Sequence, residues 1–284
     1  MVGTAAECYS GAIVDLVIPR ALATERESAL PPPTPREILL DAPHETALQL
    51  LARKLNLHHR LSVADQQAIL ALPNKIRRLE AQSYIMREGD RPDRCAVLLQ
   101  GYAFRHKLTG EGARQILSIN IPGEALDFQN LFLEEADHNV QMLSRGVVAE
   151  VPREAIEEMV ASHSAIGRAI LVTTLVEASI FREWVVNIGQ RDSRSRIAHL
   201  LCEFAYRLKA QELTSNDVYE LPITQEQLAD ATGLTAVHVN RVLQALQREG
   251  LIDRDRRMIR FPSWERMRDL ADFNPRYLHT RDLA

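Results

Sequence analysis

The segment Ile223 to Leu251 reads ITQEQLADATGLTAVHVNRVLQALQREGL, and its chemistry-bearing residues fall on one side of a helix. If that helix starts at Ala236, Val239, Val242, Leu243 and Leu246 follow the i, i+3, i+4, i+7 spacing of an apolar face. Val237, Arg241, Gln244 and Arg248 are left opposite. An arginine so placed has the two-pronged geometry for guanine O6 and N7 in the major groove of duplex DNA, and a valine, with Ala236 beside it, can pack on a thymine methyl. His238, Asn240 and Gln244 then stand near flanking bases or phosphates. The same spacing also suits a plain helical hairpin with a solvated outer face, so the neighbouring segments must discriminate.

Those segments are the ones that would hold such a face in place. Thr224 can cap a first helix, with Gln227 three residues on reaching back to its N–H, and Gly233 permits the left-handed turn that ends it. Thr235 offers its hydroxyl as the next cap. Thr224, Gln225 and Thr235 therefore sit at helix starts, where free N–H groups favour phosphate. After Gly250, the polar stretch Asp253 to Arg257 leads into the strand-like Met258-Ile259-Arg260-Phe261, a pattern that predicts a winged hairpin. Arg254, Arg256, Arg257 and Arg260 on it would lie against a phosphate backbone. The wing tips the reading towards double-stranded DNA.

Composition limits the alternatives. The 284 residues are 46% hydrophobic and 25% charged, which suits two modest globular domains. With 34 Lys and Arg against 38 Asp and Glu, the net charge of −4 rules out a generally basic polyanion binder, so any nucleic-acid contact is local. No uninterrupted apolar run approaches about 18 residues and no secretory signal is written, so a cytoplasmic protein without a membrane span is expected. Cys8, Cys95 and Cys202 lie far apart, without the spacing of a disulfide framework or a metal cluster. No convergent nucleophile and base is spelled out either, and enzymatic activity is not expected.

Along the chain the texture predicts an α+β protein in four parts. Residues 1–45, with the run Pro31-Pro32-Pro33-Thr34-Pro35, read as a disordered arm. Residues 46–163 read as two short helices and then a β-roll, with turn signals at Glu88-Gly89-Asp90, Gln100-Gly101, Thr109-Gly110-Glu111-Gly112, Pro122-Gly123-Glu124 and Arg145-Gly146. Residues 164–190 read as a long helix and hinge, and residues 191–284 as the winged helix-turn-helix domain. The long helix is apolar on two stripes: Ile166, Ala169, Thr173, Val176 and Ile180 on one, Ile170, Thr174, Phe181, Trp184 and Ile188 on the other. Packing the first on the β-roll leaves Ile170, Thr174, Phe181 and Trp184 to meet the same helix of a second subunit, which predicts a homodimer.

A β-roll, a long dimer helix, a hinge and a C-terminal winged head, in this order over roughly Leu48 to Asp272, resemble the Crp/Fnr superfamily of bacterial transcription regulators. Arg87-Glu88-Gly89-Asp90, Val97-Leu98-Leu99-Gln100-Gly101, Pro122-Gly123-Glu124 and Val239-Asn240-Arg241 carry the resemblance. It implies a homodimer on a pseudo-palindromic site, with RNA polymerase as a partner and a roll that can couple an effector to the heads. The effector pocket would involve Gly123, Glu124, His138 and Asn139. Cyclic-nucleotide-binding members carry an arginine about where His138-Asn139 stands; here Glu134, Glu135 and Asp137 precede it and would repel a phosphate. Cyclic nucleotide is therefore not expected as a cofactor. Haem, for which His106 and His138 would be the ligands, is not expected either. A cyclic-nucleotide-responsive regulator with a diverged pocket and an effector-independent regulator remain the alternatives. Family members typically have glutamate where Val237 stands, so an altered half-site is expected.

Overall fold

The computed structural model describes residues 47–214 and 218–280; the arm of residues 1–45, with Cys8, lies outside them. Two short helices open the described chain, α1 (Gln49–His58) and α2 (Val63–Leu70). Ser62 caps α2 in a reciprocal capping box with Asp65.

The roll follows as two antiparallel sheets. Strands β1 (Lys75–Leu79), β7 (Gly146–Pro152) and β3 (Arg94–Gln100) form one, in the order β1-β7-β3. The other runs β2-β6-β4-β5, from Tyr84–Met86, Asn139–Met142, Ala103–Leu108 and Arg114–Asn120. The near-continuous apolar run of β3 reflects burial on both faces. Cys95, Val97 and Leu99 point to a cluster shared with α1 and the later helices, while Ala96 and Leu98 point between the sheets, towards Met86, Val140, Met142 and Val148.

Helix α3 (Arg153–Ser162) leads into the 27-residue α4 (Ser164–Gln190). By length and composition α4 could cross a membrane, with a mean hydropathy of 1.5 over its most apolar window. Its inner side is packed on protein: Ile166, Ala169 and Ile170 join the roll, and Val176, Ile180 and Trp184 join a cluster with the C-terminal helices. Asp192 then caps α5 (Ser193–Ala210), its carboxylate accepting from the N–H of Arg194 and Ser195.

The C-terminal head contains α5, β8 (Val218–Glu220), α6 (Gln225–Thr232), α7 (Ala236–Arg248), β9 (Asp253–Asp255), β10 (Met258–Arg260) and α8 (Trp264–Ala271). One apolar cluster joins Phe104, Ile116, Ile119 and Ile121 of the roll, Val176 and Trp184 of α4, and the head's Ile197, Phe204, Leu228 and Leu243. The head is thus packed directly against the roll.

Candidate nucleic-acid interface and the pocket behind it

The helix-turn-helix is built as its sequence requires. The Thr224 hydroxyl accepts from the N–H of Gln227 at 3.2 Å, and the Gln227 side-chain oxygen accepts from the N–H of Thr224 at 2.9 Å. Gly233 ends α6 in the left-handed conformation at φ 65°, where a side chain would be strained. Thr235 caps α7 by accepting from the N–H of His238. Val239, Val242, Leu243 and Leu246 are buried, which turns Val237, Arg241, Gln244 and Arg248 to solvent. Val237 is 64% exposed, far more than burial of apolar area would favour unless something covers it.

Two of the expected base-reading residues are hydrogen-bonded to other elements of the chain. The His238 ring meets the Ser193 hydroxyl at 2.8 Å, tying α7 to the start of α5. The side-chain N–H of Gln225 donates to the Asn240 oxygen at 3.2 Å, bracing α6 against α7. Arg241, Gln244 and Val237 therefore form the open tip. The wing is a three-stranded antiparallel sheet in the order β8-β10-β9. Arg256 and Arg257 are exposed in its turn, Arg254 is half-buried, and Arg260 pairs with Asp253. Arg256 takes a left-handed φ of 52°, which tightens the turn that presents these cations.

The outer face of α4 differs from expectation. Ile170 and Trp184 are buried inside the subunit, Thr174 and Phe181 are half-buried, and none of the four lies on the open face. The reason for Trp184 is polar as well as apolar: its indole N–H donates to both oxygens of Glu203 on α5, at 3.2 and 3.0 Å. Both predicted stripes are largely taken up by the protein's own roll and head. The open face is a third stripe of exposed Arg168, Leu171, Leu175, Arg182 and Val185, with the half-buried Ala178 completing its alternating steps of three and four. Leu171 and Leu175 are each 58% exposed and Val185 is 71% exposed. That strict heptad spacing was readable in the sequence, beneath the more apolar stripes beside it.

The pocket below the roll also departs from expectation. It is lined by Lys54, His58, Arg105, Asn120, Glu124, Glu177 and Arg207 among others, and encloses only about 30 Å³, room for a water or two. Of the four residues expected there only Glu124 lines it. Gly123 instead lets α1 approach: at φ 93°, a Cβ would come within 2.9 Å of the Leu50 carbonyl. His138 is turned to Asp137, at 2.7 Å, and the Asn139 oxygen accepts from the N–H of Glu88. The pair lies on β6 and the loop before it, paired across to β4, away from the carboxylate they were expected to join.

Glu124 is fully partnered. Arg207 of α5 donates from Nη2 to both its oxygens at 2.9 Å, and Lys54 of α1 donates at 2.9 Å. Burial would raise this carboxyl's pKa, but the Arg207 and Lys54 charges outweigh it and hold the group well below the usual carboxylate range. Across the pocket, Arg105 is fixed by Glu177 of α4 and by the Leu126 carbonyl. Asp127 nearby is pushed up to about 6, chiefly by burial. Sequence reasoning missed Lys54, Arg105, Glu177 and Arg207 because they come from four separate elements. Among the described residues no group of three or more His, Cys, Asp or Glu is placed to hold a metal ion. Cys95 and Cys202 are buried and unpaired.

Residues 76–163 match the family model of a cyclic nucleotide-binding domain, and residues 195–270 that of a Crp-like helix-turn-helix domain. The transcriptional activator protein FnrL of Cereibacter sphaeroides is 28% identical over 192 residues, 66% of this chain and 77% of that one. The nitrogen fixation regulation protein FixK of Rhizobium meliloti is 26% identical over 193 residues, 66% of this chain and 83% of that one. Among solved structures, FixK2 from Bradyrhizobium japonicum superposes with a TM-score of 0.64 at 21% identity, covering 70% of this chain and 98% of that one.

Proposed function

The chain belongs to the Crp/Fnr superfamily of DNA-binding transcription regulators, and we propose that it works as a homodimer on a pseudo-palindromic site without control by cyclic nucleotide. The observation that carries this reading is the open face of α7. Arg241 and Gln244 project from it with Val237 beside them, above a fully buried apolar side. Arg241 takes a guanine and Val237 a thymine methyl. Arg256 and Arg257 of the wing, with the α6 and α7 starts at Thr224, Gln225 and Thr235, hold the phosphates. His238, Asn240 and Arg254 act chiefly by bracing these elements. The heptad stripe Leu171, Leu175, Ala178 and Val185 pairs with its copy across a two-fold axis, setting the two heads about 34 to 36 Å apart. The dimer acts in the cytoplasm, with RNA polymerase as its partner.

Independence from cyclic nucleotide is supported by the pocket. The free space left between the pocket's side chains is about 30 Å³, room for a water or two. Glu124, the carboxylate expected in an effector pocket, is already bound by Lys54 and Arg207. Neither His138 nor Asn139 lines the pocket.

Selection of bound duplexes from a random pool tests the reading. The wild-type protein is expected to return an inverted repeat with half-site centres one helical turn apart, and Arg241→Ala to lose selection at one symmetric base pair. An unchanged motif with Arg241→Ala would overturn the assignment. Isothermal titration with cAMP and cGMP is expected to give no binding heat, and micromolar binding of either would overturn effector independence.

A further inference from the structure

Arg207 belongs to the head, yet its guanidinium is seated in the roll's pocket. From there a continuous polar chain crosses the molecule. Lys54 of α1 and Arg207 of α5 meet on Glu124, Arg207 also donates to Glu203 at 3.3 Å, and Glu203 accepts from Trp184 of α4 and from the Tyr277 hydroxyl at 2.9 Å. Glu124, Arg207 and Glu203 have side-chain exposures of 8%, 7% and 2%. Two cations face Glu124 and Glu203, and Arg105 faces Glu177 with Asp127 close by. A second bridge closes the same joint nearer solvent, where Arg114 of β5 pairs with Asp230 of α6 at 2.7 Å.

We propose that Arg207 acts as a built-in effector: seated on Glu124 with Lys54, it latches the DNA-binding head to the roll and so presets the domain arrangement that reads DNA. This rests on the effector-independent reading above. Three observations point to the latched state as the DNA-binding one. The base-reading tip of α7 is open to solvent while the head is docked. Leu171, Leu175 and Val185 of the α4 stripe are exposed in the same arrangement, so two latched subunits can pair. The pocket between roll and head is also occupied by the chain's own Lys54, Arg105, Glu124 and Arg207 side chains, which already bridge the joint. A buried ion pair of this kind adds little net stability compared with apolar packing, yet it fixes one geometry among several because any other leaves a charge unpaired. Holding two heads in a fixed arrangement lowers the ordering cost of binding.

Hydrogen exchange and DNA binding by the full-length protein test the latch together. Arg207→Met and Glu124→Gln are each expected to raise exchange at least about tenfold in α1 and along the α6–β5 contact, while β3 and β7 inside the roll keep their protection. Affinity for the selected duplex is expected to fall about tenfold, within the range usual for coupling between sites. The double variant should lose little more than either single one. Should the buried variants fail to fold, Asp230→Arg loosens the joint from its surface, and Arg114→Asp with Asp230→Arg restores it. Unchanged protection at the joint, a uniform rise across the roll, or affinity that is equal or tighter would each overturn the latch. A wild-type protein that selects no duplex would instead overturn the proposed function, because the exchange measurement needs no DNA.

Discussion

At the scale of single residues, Arg241 is the side chain whose loss should be most specific. Its guanidinium is exposed on a helix whose other side is anchored by four buried aliphatics, so truncation removes a contact without disturbing the fold. Arg241→Ala should weaken binding to the selected duplex by about 1–3 kcal/mol and flatten preference at one base pair, as competition with single-base variants would show. His58 and His199 make a different prediction. Burial is the main cause that lowers each to about 4, with the Lys54 charge adding to it for His58 and the Arg191 charge for His199. Their folded pKa lies below the unfolded value, so the folded state binds fewer protons between about pH 4 and 6.5. Their contribution is thus complete above pH 6.5 and lost as pH falls towards 4, on the order of 3 kcal/mol each. Asp127, raised to about 6, and Glu203, also raised by burial, work in the opposite direction. Burial lowers His106 and His138, and the Arg207 and Lys54 charges hold Glu124 low, all of which add to the fall in stability. Thermal melts should show a Tm that falls from pH 7 to pH 4.5, and His58→Gln should make that fall shallower. A flat profile would contradict the assignment. The helix-turn-helix was legible because it announces itself locally, through a capping box, a glycine and a spacing. The engagement of His238 with Ser193 and of Asn240 with Gln225 was not, since each pairs residues 45 and 15 positions apart.

Among the elements, α4 is the one whose faces were hardest to assign. Its length and its two apolar stripes were plain in the sequence, but an apolar residue does not say what covers it. Trp184 was expected in the dimer seam and instead reaches α5, where Glu203 takes its indole N–H. The proposed seam is marked by Leu171, Leu175 and Val185, apolar residues left exposed among the described residues. The two assignments separate experimentally. Leu171→Glu with Leu175→Glu should leave the thermal midpoint nearly unchanged but yield monomers by sedimentation, with a loss of DNA affinity beyond a hundredfold. Trp184→Phe should lower stability by about 1–3 kcal/mol, by leaving the buried Glu203 short of a donor, while the dimer persists. The roll's strands were readable from turn signals at about ten-residue intervals. The pocket was not, because Lys54, Glu124, Glu177 and Arg207 span more than 150 residues and converge only after the sheets, α4 and α5 have packed.

For the whole molecule, a net charge of −4 means that attraction to DNA must come from placement of charge and not from its total. Arg256 and Arg257 on the wing of each subunit would displace counterions from at least four phosphates, giving a log–log salt slope of roughly −4 or steeper, and Arg256→Ala with Arg257→Ala should make it shallower. The shared core between roll and head makes the molecule a single reading unit, with the domain order legible in the sequence and the docking of the domains visible only in three dimensions. The most direct test of the central claim is the stoichiometry of the protein on its selected duplex, measured by sedimentation equilibrium. Two chains per duplex, reduced to weak or absent binding when half-site spacing is lengthened by five base pairs, is the predicted result. One chain per duplex, bound equally well at either spacing, would contradict it.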